Sequence, residues 1–314
     1  MNNKIVDYRE EFDIIPATES KNRSPVIHVG HNLGIEVWCV KSVFMYCYAN
    51  FFKLLQCKKE HNRLERYSRT ALVLNPNIST FWNYRKKLII NGFAEPHHDL
   101  LLTKLVLSQK PKSVEALAHR RWVLKQQNSS LTANSIQNEL KLCNQLSDRV
   151  KCNYHAWSHR QWVFSNIDFD AQLWLSEFRA SDEWTKFHVS DHSGWHHRQF
   201  LLNQLQEKLS TIKDLQSLIP LLSDQTTAAL DSPPQFYESL LNQDLRKNED
   251  LILNFSAHES LWYHRRFILR KVVDYRSWDE DPFLDKCQRS SSYDSNQDHY
   301  MVHHRRWLSD TVCS

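Results

Sequence analysis

Four long stretches of the chain place apolar residues at steps of three and four, the stripe of an amphipathic helix. They are 60–74 (EHNRLERYSRTALVL), 97–108 (HHDLLLTKLVLS), 133–147 (ANSIQNELKLCNQLS) and 169–185 (FDAQLWLSEFRASDEWT). Shorter segments in a common register accompany them: WNYRKKLI (82–89), LAHRRWVL (117–124), WSHRQWVF (157–164), WHHRQFLL (195–202), WYHRRFIL (262–269) and VHHRRWL (302–308). Their aligned arginines are Arg85, Arg120, Arg160, Arg198, Arg265 and Arg305, separated by 35, 40, 38, 67 and 40 residues. Three residues before the arginine stand Trp82, Leu117, Trp157, Trp195, Trp262 and Val302. Directly before it stand Tyr84, His119, His159, His197, His264 and His304; three after it the residue is always aliphatic.

At about 100° per residue, the positions three before, at, three after and four after the arginine share one helix face. The position two after it, held by Trp122, Trp162, Phe200, Phe267 and Trp307 in five copies, points almost oppositely. A helix apolar on two sides must lie between neighbours. Ser113, Asn153, Asp191, His258 and Asp298, seven before the arginine, mark the helix starts. Pro76 and Pro111 stop the helices that precede the first two copies.

The pattern predicts an all-α fold of helical hairpins stacked into a right-handed, crescent-shaped α–α superhelix, with a repeat period in the range of known helical solenoids. Repeat helices are expected near 78–90, 113–127, 153–165, 191–203, 258–272 and 298–310. They fall in a repeat domain over 36–314, behind an N-terminal extension at 1–35. The 67-residue gap holds no further Trp–Arg pair, and its polar stretch 223–234 (SDQTTAALDSPP) reads as a loop insertion.

Composition narrows the chemistry. With only four glycines in 314 residues, there is no cluster of the kind a phosphate-cradling loop needs. A net charge of +4 with no long run of one sign is not the footprint of a nucleic-acid binder. Seven cysteines without a C-x-x-C, and an N-terminus without an apolar core segment, point to a reduced, cytoplasmic protein. No apolar run reaches membrane-spanning length, and Cys313 is not spaced as a prenylation signal.

A residue repeated six times cannot be catalytic six times over. The arginines are expected to lie against tryptophan faces and bond carbonyls or carboxylates of the adjacent helix, and the histidines to make interhelical hydrogen bonds. His192 and His196, and His155 and His159, have chelate spacing, but no acid or cysteine completes either set, so no metal is expected in this chain. Cys152 and His155, three apart, lack the third group of a nucleophilic triad. Function is expected where the copies differ. Six before the anchor stand Ser79, Val114, Tyr154, His192, Glu259 and His299. Tyr154, in a first helical turn with Lys151 just outside, suits an anionic, partly apolar ligand. Tyr154, Lys151, His155 and His192 are the substrate-adjacent candidates, and no residue is assigned a catalytic step.

The segment NYHAWSHRQW (153–162) resembles the Asn-x-x-x-Trp-x-x-Arg repeat of protein prenyltransferase alpha subunits, and the resemblance runs from about 60 to 308. The glycine of SDHSGW and the N-terminal extension set the chain apart from farnesyltransferase alpha subunits. The resemblance implies a helical crescent, inactive alone, wrapped around a beta subunit that holds zinc, the isoprenoid diphosphate and most of the acceptor. It implies transfer of an isoprenoid, geranylgeranyl above others, to a C-terminal cysteine of an acceptor protein, with the Rab geranylgeranyltransferase beta subunit as partner. In the family a lysine directly before Asn-Tyr-His reaches the diphosphate and the tyrosine lines the site. Tyr154 matches that tyrosine, but Cys152 occupies the lysine position and Lys151 lies one residue earlier. The competing expectation is a non-catalytic helical-repeat adapter that binds peptides or a partner protein.

Overall fold

The structure, a computed structural model, describes residues 11–20, 22–56, 60–127, 131–209, 218, 232–272, 279–290 and 295–312. The chain divides into two compact units, residues 1–167 and 168–314.

The first unit opens with a small sheet of β1 (Glu11–Ile15), β2 (Val26–Val29) and β3 (Asn32–Glu36), in the order β1-β3-β2. β1 runs parallel to β3, and β2 antiparallel to it. Gly30, at φ +56°, turns the β2–β3 connection through the left-handed region open to glycine. β1 lies against a helix of the unit: the Phe12 amide donates to Ser108 Oγ at 2.9 Å, and Arg149 pairs with Glu11 at 2.6 Å. All but Glu36 of this sheet lies in the stretch 1–35 that the helical pattern left as an extension. Its strands are four and five residues long, too short for periodicity to register.

Seven helices follow: α1 (Val37–Leu55), α2 (His61–Leu74), α3 (Ser79–Ile90), α4 (Pro96–Gln109), α5 (Val114–Gln127), α6 (Ala133–Arg149) and α7 (Tyr154–Ser165). α2–α3, α4–α5 and α6–α7 are hairpins. Their core joins Phe51, Leu64, Leu72, Phe81, Leu102, Leu117 and Leu146, all buried. Phe51 packs edge-on against Phe81 and Tyr84, with ring centroids 4.7 and 5.1 Å apart. The second unit holds α8 (Ala171–Phe187), α9 (His192–Lys208), α10 (Pro233–Asn254), α11 (Glu259–Lys271), α12 (Asp281–Ser290) and α13 (Ser295–Val312), with hairpins α8–α9, α10–α11 and α12–α13. No described helix is long and apolar enough to cross a membrane.

The helices begin where the polar residues predicted, with two exceptions. Asn153 Oδ1 accepts from the Ala156 amide, Asp191 from Ser193 and Ser113 Oγ from Ala116. His258 stands at its N-cap without capping. Asp298 lies inside the first turn of α13 rather than before it. The expected insertion at 223–234 is corrected at its end: 223–231 fall outside the described residues, while Pro233 and Pro234 open α10, where a missing N–H costs nothing.

The glycine of SDHSGW has a packing reason. A Cβ on Gly194 would stand 2.8 Å from Trp184 Cδ1 and 2.9 Å from Nε1. That indole cannot withdraw, because its N–H donates to Asp191 Oδ2 at 3.0 Å and its ring stacks on His188 at 3.8 Å. Gly194→Ala is therefore expected to destabilise the chain by about 1–3 kcal/mol, as overpacking does, in denaturant unfolding. The loss should shrink when Trp184 is also replaced by leucine.

Candidate functional site

The anchor arginines are built into a repeated three-helix clamp. Arg85 forks onto Asp99 of α4, with Nε–Oδ1 2.6 Å and Nη2–Oδ2 2.8 Å, and His119 Nε2 of α5 lies 2.8 Å from the same carboxylate. Arg120 forks onto Glu139 of α6 at 2.7 Å through both nitrogens, and His159 of α7 reaches Glu139 at 2.9 Å. In the second unit Arg198 pairs with Asp244 of α10, which also takes His264 of α11 at 2.9 Å. Arg265 pairs with Glu280 at 2.9 Å, and His304 of α13 lies 3.3 Å from that carboxylate. His197 joins Glu177 at 2.6 Å. Four of the guanidinium groups, those of Arg85, Arg120, Arg160 and Arg198, also reach back to the first helix of their own hairpin. Arg120 Nη1 donates to the Leu100 carbonyl and Thr103 Oγ1, Arg198 Nη1 to the Phe178 carbonyl and Ser181 Oγ, and Arg160 Nη1 to the Leu140 carbonyl and Asn144 Oδ1.

Two expectations are corrected. Arg305 is not an anchor: it is exposed and has no carboxylate partner among the described residues. Arg85, Arg120, Arg198 and Arg265 are each buried against a carboxylate later in their own unit, and no helix is described after α13. The tryptophans also choose a different partner. Only Arg160 lies over its own repeat's indole, 5.8 Å above Trp157. Trp82, Trp195 and Trp262 instead meet the next repeat's histidine, His119, His264 and His304, at 4.7, 4.6 and 5.2 Å. Two of the clamp guanidinium groups lie over phenylalanine rings instead of indoles, Arg198 4.2 Å from Phe178 and Arg265 3.6 Å from Phe283.

These groups have shifted proton affinities. Burial alone would raise the Asp99 carboxyl, but the charge of Arg85 and bonds from His119 and Arg85 prevail and hold it at about 2. Glu139 is held at about 2 by Arg120 and His159, and Glu280 by His304 and Arg265. His119, His159, His264 and His304 are pushed below their ordinary value, first by burial and despite their carboxylate partners. They are neutral imidazoles donating from Nε2. For His159 this tautomer is set by Arg121, whose Nε donates to Nδ1 at 3.3 Å. The clamp is thus a scaffold whose carboxylates are fully engaged, although His119 Nδ1, His304 Nδ1 and Arg265 Nη1 are buried without a hydrogen-bond partner among the described residues.

The substrate-adjacent candidates lie outside the clamp. Tyr154, the first residue of α7, is 60% exposed. Its ring meets His155 edge-on at 5.6 Å, and His155 is half-buried. Lys151 is exposed in the preceding turn, where Cys152 takes φ +52°, in the left-handed region, and so offsets the backbone at the family's lysine position. Asn153 behind it is buried and donates to the Pro111 and Leu146 carbonyls at 3.0 and 3.2 Å, fixing where α7 begins. His192 belongs to the second unit, exposed at the start of α9. Sequence reasoning passed over Arg121, which is half-buried beside Tyr154. Its signal was a second cation directly after an anchor arginine in a segment with one acid. Among the described residues no three His, Cys, Asp or Glu side chains gather as metal ligands.

Helical hairpins tied to one another within each unit by arginine–carboxylate–histidine clamps define a helical-repeat scaffold. The repeat model described as protein prenyltransferase alpha subunit repeat matches residues 136–167, 174–205 and 241–272. Each matched segment is one hairpin, with the clamp's acid near its start and the His-Arg pair near its end. The chain is 35% identical to protein prenyltransferase alpha subunit repeat-containing protein 1 of Homo sapiens, over 82% of this chain and 72% of that protein. It is 34% identical to the Danio rerio protein of that name, over 82% and 67%. It is 30% identical to geranylgeranyl transferase type-2 subunit alpha of Saccharomyces cerevisiae, over 46% and 47%. The chain belongs to the protein prenyltransferase alpha subunit repeat family.

Two outcomes test the clamp. Arg120→Met leaves Glu139 buried without its counter-charge and should cost about 3–5 kcal/mol in urea unfolding, whereas Arg305→Met should change stability by under about 0.5 kcal/mol. The pH dependence follows from the depressed values. Below the ordinary histidine value of 6.5 the unfolded chain takes up protons that the buried imidazoles refuse, so stability should fall as pH drops through that point. A second loss should follow from about pH 4 downwards as the unfolded carboxylates protonate first. Melting temperatures between pH 8 and pH 3 would record both steps, and a curve flat to pH 4 would contradict the histidine assignment.

Proposed function

We propose that the chain is the alpha-type subunit of a heterodimeric protein prenyltransferase, inactive alone. Its partner is a zinc-bearing beta subunit, the Rab geranylgeranyltransferase beta subunit in the reading we favour. The transferred group is geranylgeranyl, and the acceptor is a protein with a C-terminal cysteine. The observation that carries the reading is the match of three hairpins to the alpha-subunit repeat, with a tyrosine exposed at the head of α7 where the family's site tyrosine aligns. Zinc in the partner supplies an acceptor thiolate. The sulfur bonds to C1 of the isoprenoid, the C1–O bond breaks, and diphosphate departs with the electron pair while the thiol proton passes to solvent. This chain shapes one wall of that site and presents the Tyr154 hydroxyl to it. The protein works in the cytoplasm, where its cysteines stay reduced; none of the five described is in a disulfide.

Co-expression with candidate beta subunits and labelled geranylgeranyl diphosphate is expected to give transfer to a C-terminal cysteine with one of them. Absence of transfer with every beta subunit would overturn the reading. In the active pair Tyr154→Phe should reduce kcat/KM by about tenfold, the loss of one hydrogen bond to a charged group, without weakening the pair. The second reading, an adapter, is favoured by Cys152 standing where the family's lysine does. It predicts that Tyr154→Phe leaves partner capture unchanged and that no transfer occurs.

A further inference from the structure

The second helices of the three hairpins in the first unit, α3, α5 and α7, carry Arg85, Lys86, Lys87, Arg120, Arg121, Lys125 and Arg160 against a single acid, Glu115. Arg85 and Arg120 are balanced by Asp99 and Glu139, which lie on the first helices of the hairpins and are spent in the clamp. Lys86, Arg121 and Lys125 therefore form a row of cations without carboxylate partners among the described residues. They are interleaved with indoles: Lys86 Nζ lies 5.7 Å over Trp122, and Lys125 Nζ 5.8 Å over Trp162.

Arg121 differs from its neighbours in the row. Like Lys86 it is half-buried, but its Nε donates to His159 Nδ1 at 3.3 Å, so the terminal Nη1 and Nη2 are held in place rather than swinging in solvent. His159 is in turn fixed by Glu139 and stacked on Trp162 at 5.5 Å. Arg121's helix α5 packs against α7, whose first residue is the exposed Tyr154. Burial pulls the arginine's proton affinity down from its ordinary value, and no carboxylate offsets it. A half-desolvated, pre-oriented guanidinium whose Nη1 and Nη2 amino groups meet no carboxylate among the described residues presents a fork for an oxyanion.

We infer that Arg121, held by His159 and flanked by Tyr154, is an oxyanion-binding residue that takes the diphosphate of the isoprenoid substrate. Diphosphate as the ligand rests on the function proposed above; the anion site itself rests on this geometry. It supplies from α5 a positive charge next to the turn in which Cys152 stands at the family's lysine position. The outer cations Lys86 and Lys125 steer the anion inward without touching it.

The test titrates the full chain, without partner, with inorganic diphosphate at fixed ionic strength and follows tryptophan fluorescence from Trp122 and Trp162. Saturable binding is expected, weakened about ten- to a hundredfold in Arg121→Gln and less in Arg121→Lys. Lys125→Gln should change it by no more than about twofold, the size of a screened surface charge. Matching melting temperatures must show that the Arg121 variants are folded; if Arg121→Gln is not, Arg121→Lys and a Tyr154→Phe titration decide. Equal binding by wild type and the Arg121 variants overturns the inference. So does a response reproduced by chloride at the same ionic strength, or no binding at all. Arg121→Gln that binds diphosphate normally but loses the beta subunit also overturns it, in favour of an acidic protein surface as the occupant. The titration needs neither partner nor turnover. A chain that binds diphosphate through Arg121 yet supports no transfer would sink the prenyltransferase reading and leave the anion site standing.

Discussion

A buried arginine in a hairpin-repeat protein must meet a carboxylate, and here that constraint organises the architecture. A lone guanidinium inside a helical stack would cost several kcal/mol. The chain answers with a carboxylate from the following hairpin, then satisfies the rest of that carboxylate with a histidine one helix further on. The pairs Arg85–Asp99–His119 and Arg120–Glu139–His159 therefore fix not only distance but register, since a forked bond tolerates little sliding. Such ionic clamps are weak net contributors to stability compared with an apolar core. Their value lies in specifying one stacking arrangement among several that leucines alone would allow.

Much of this was legible in the chain, for a physical reason. Inward-facing residues repeat because each hairpin solves the same packing problem, so Trp157, Arg160 and Val163 announce themselves by recurrence. The acids were harder to see. Asp99, Glu139, Glu177 and Asp244 each stand 20 residues before the histidine they bind, but on the first helices of the hairpins they look like ordinary members of a solvated face. The last copy departs to 24 residues, at Glu280 and His304. Arg305 shares the preceding histidine and the following aromatic and aliphatic residues of the pattern and still ends exposed, because its burial depends on a covering helix and not on its own segment. Local register shows which face a side chain takes; it does not show what lies opposite.

The candidate site was legible only as a deviation from the repeat. Tyr154 stood out because the other copies have different residues at its position, and its exposure at the head of α7 agrees with a role outside the scaffold. Arg121 did not stand out, since a cation in that place also occurs at Lys86, Arg266 and Arg306. What distinguishes it is environment: it sits half-buried on a neutral histidine whose own proton is committed to Glu139. The scaffold and the site are thus coupled, because the clamp that joins α5, α6 and α7 also sets the imidazole on which Arg121 rests.

The central claim is that each clamp acts as a unit, with one carboxylate binding an arginine and a histidine together. It is tested most directly by double-mutant cycles in the full chain between Asp244→Asn and either Arg198→Met or His264→Phe, read by denaturant unfolding. The account predicts coupling of about 2–3 kcal/mol with Arg198 and about 1 kcal/mol with His264, the range for residues sharing one hydrogen-bond network. Additive effects, with coupling below about 0.5 kcal/mol in both cycles, would contradict it.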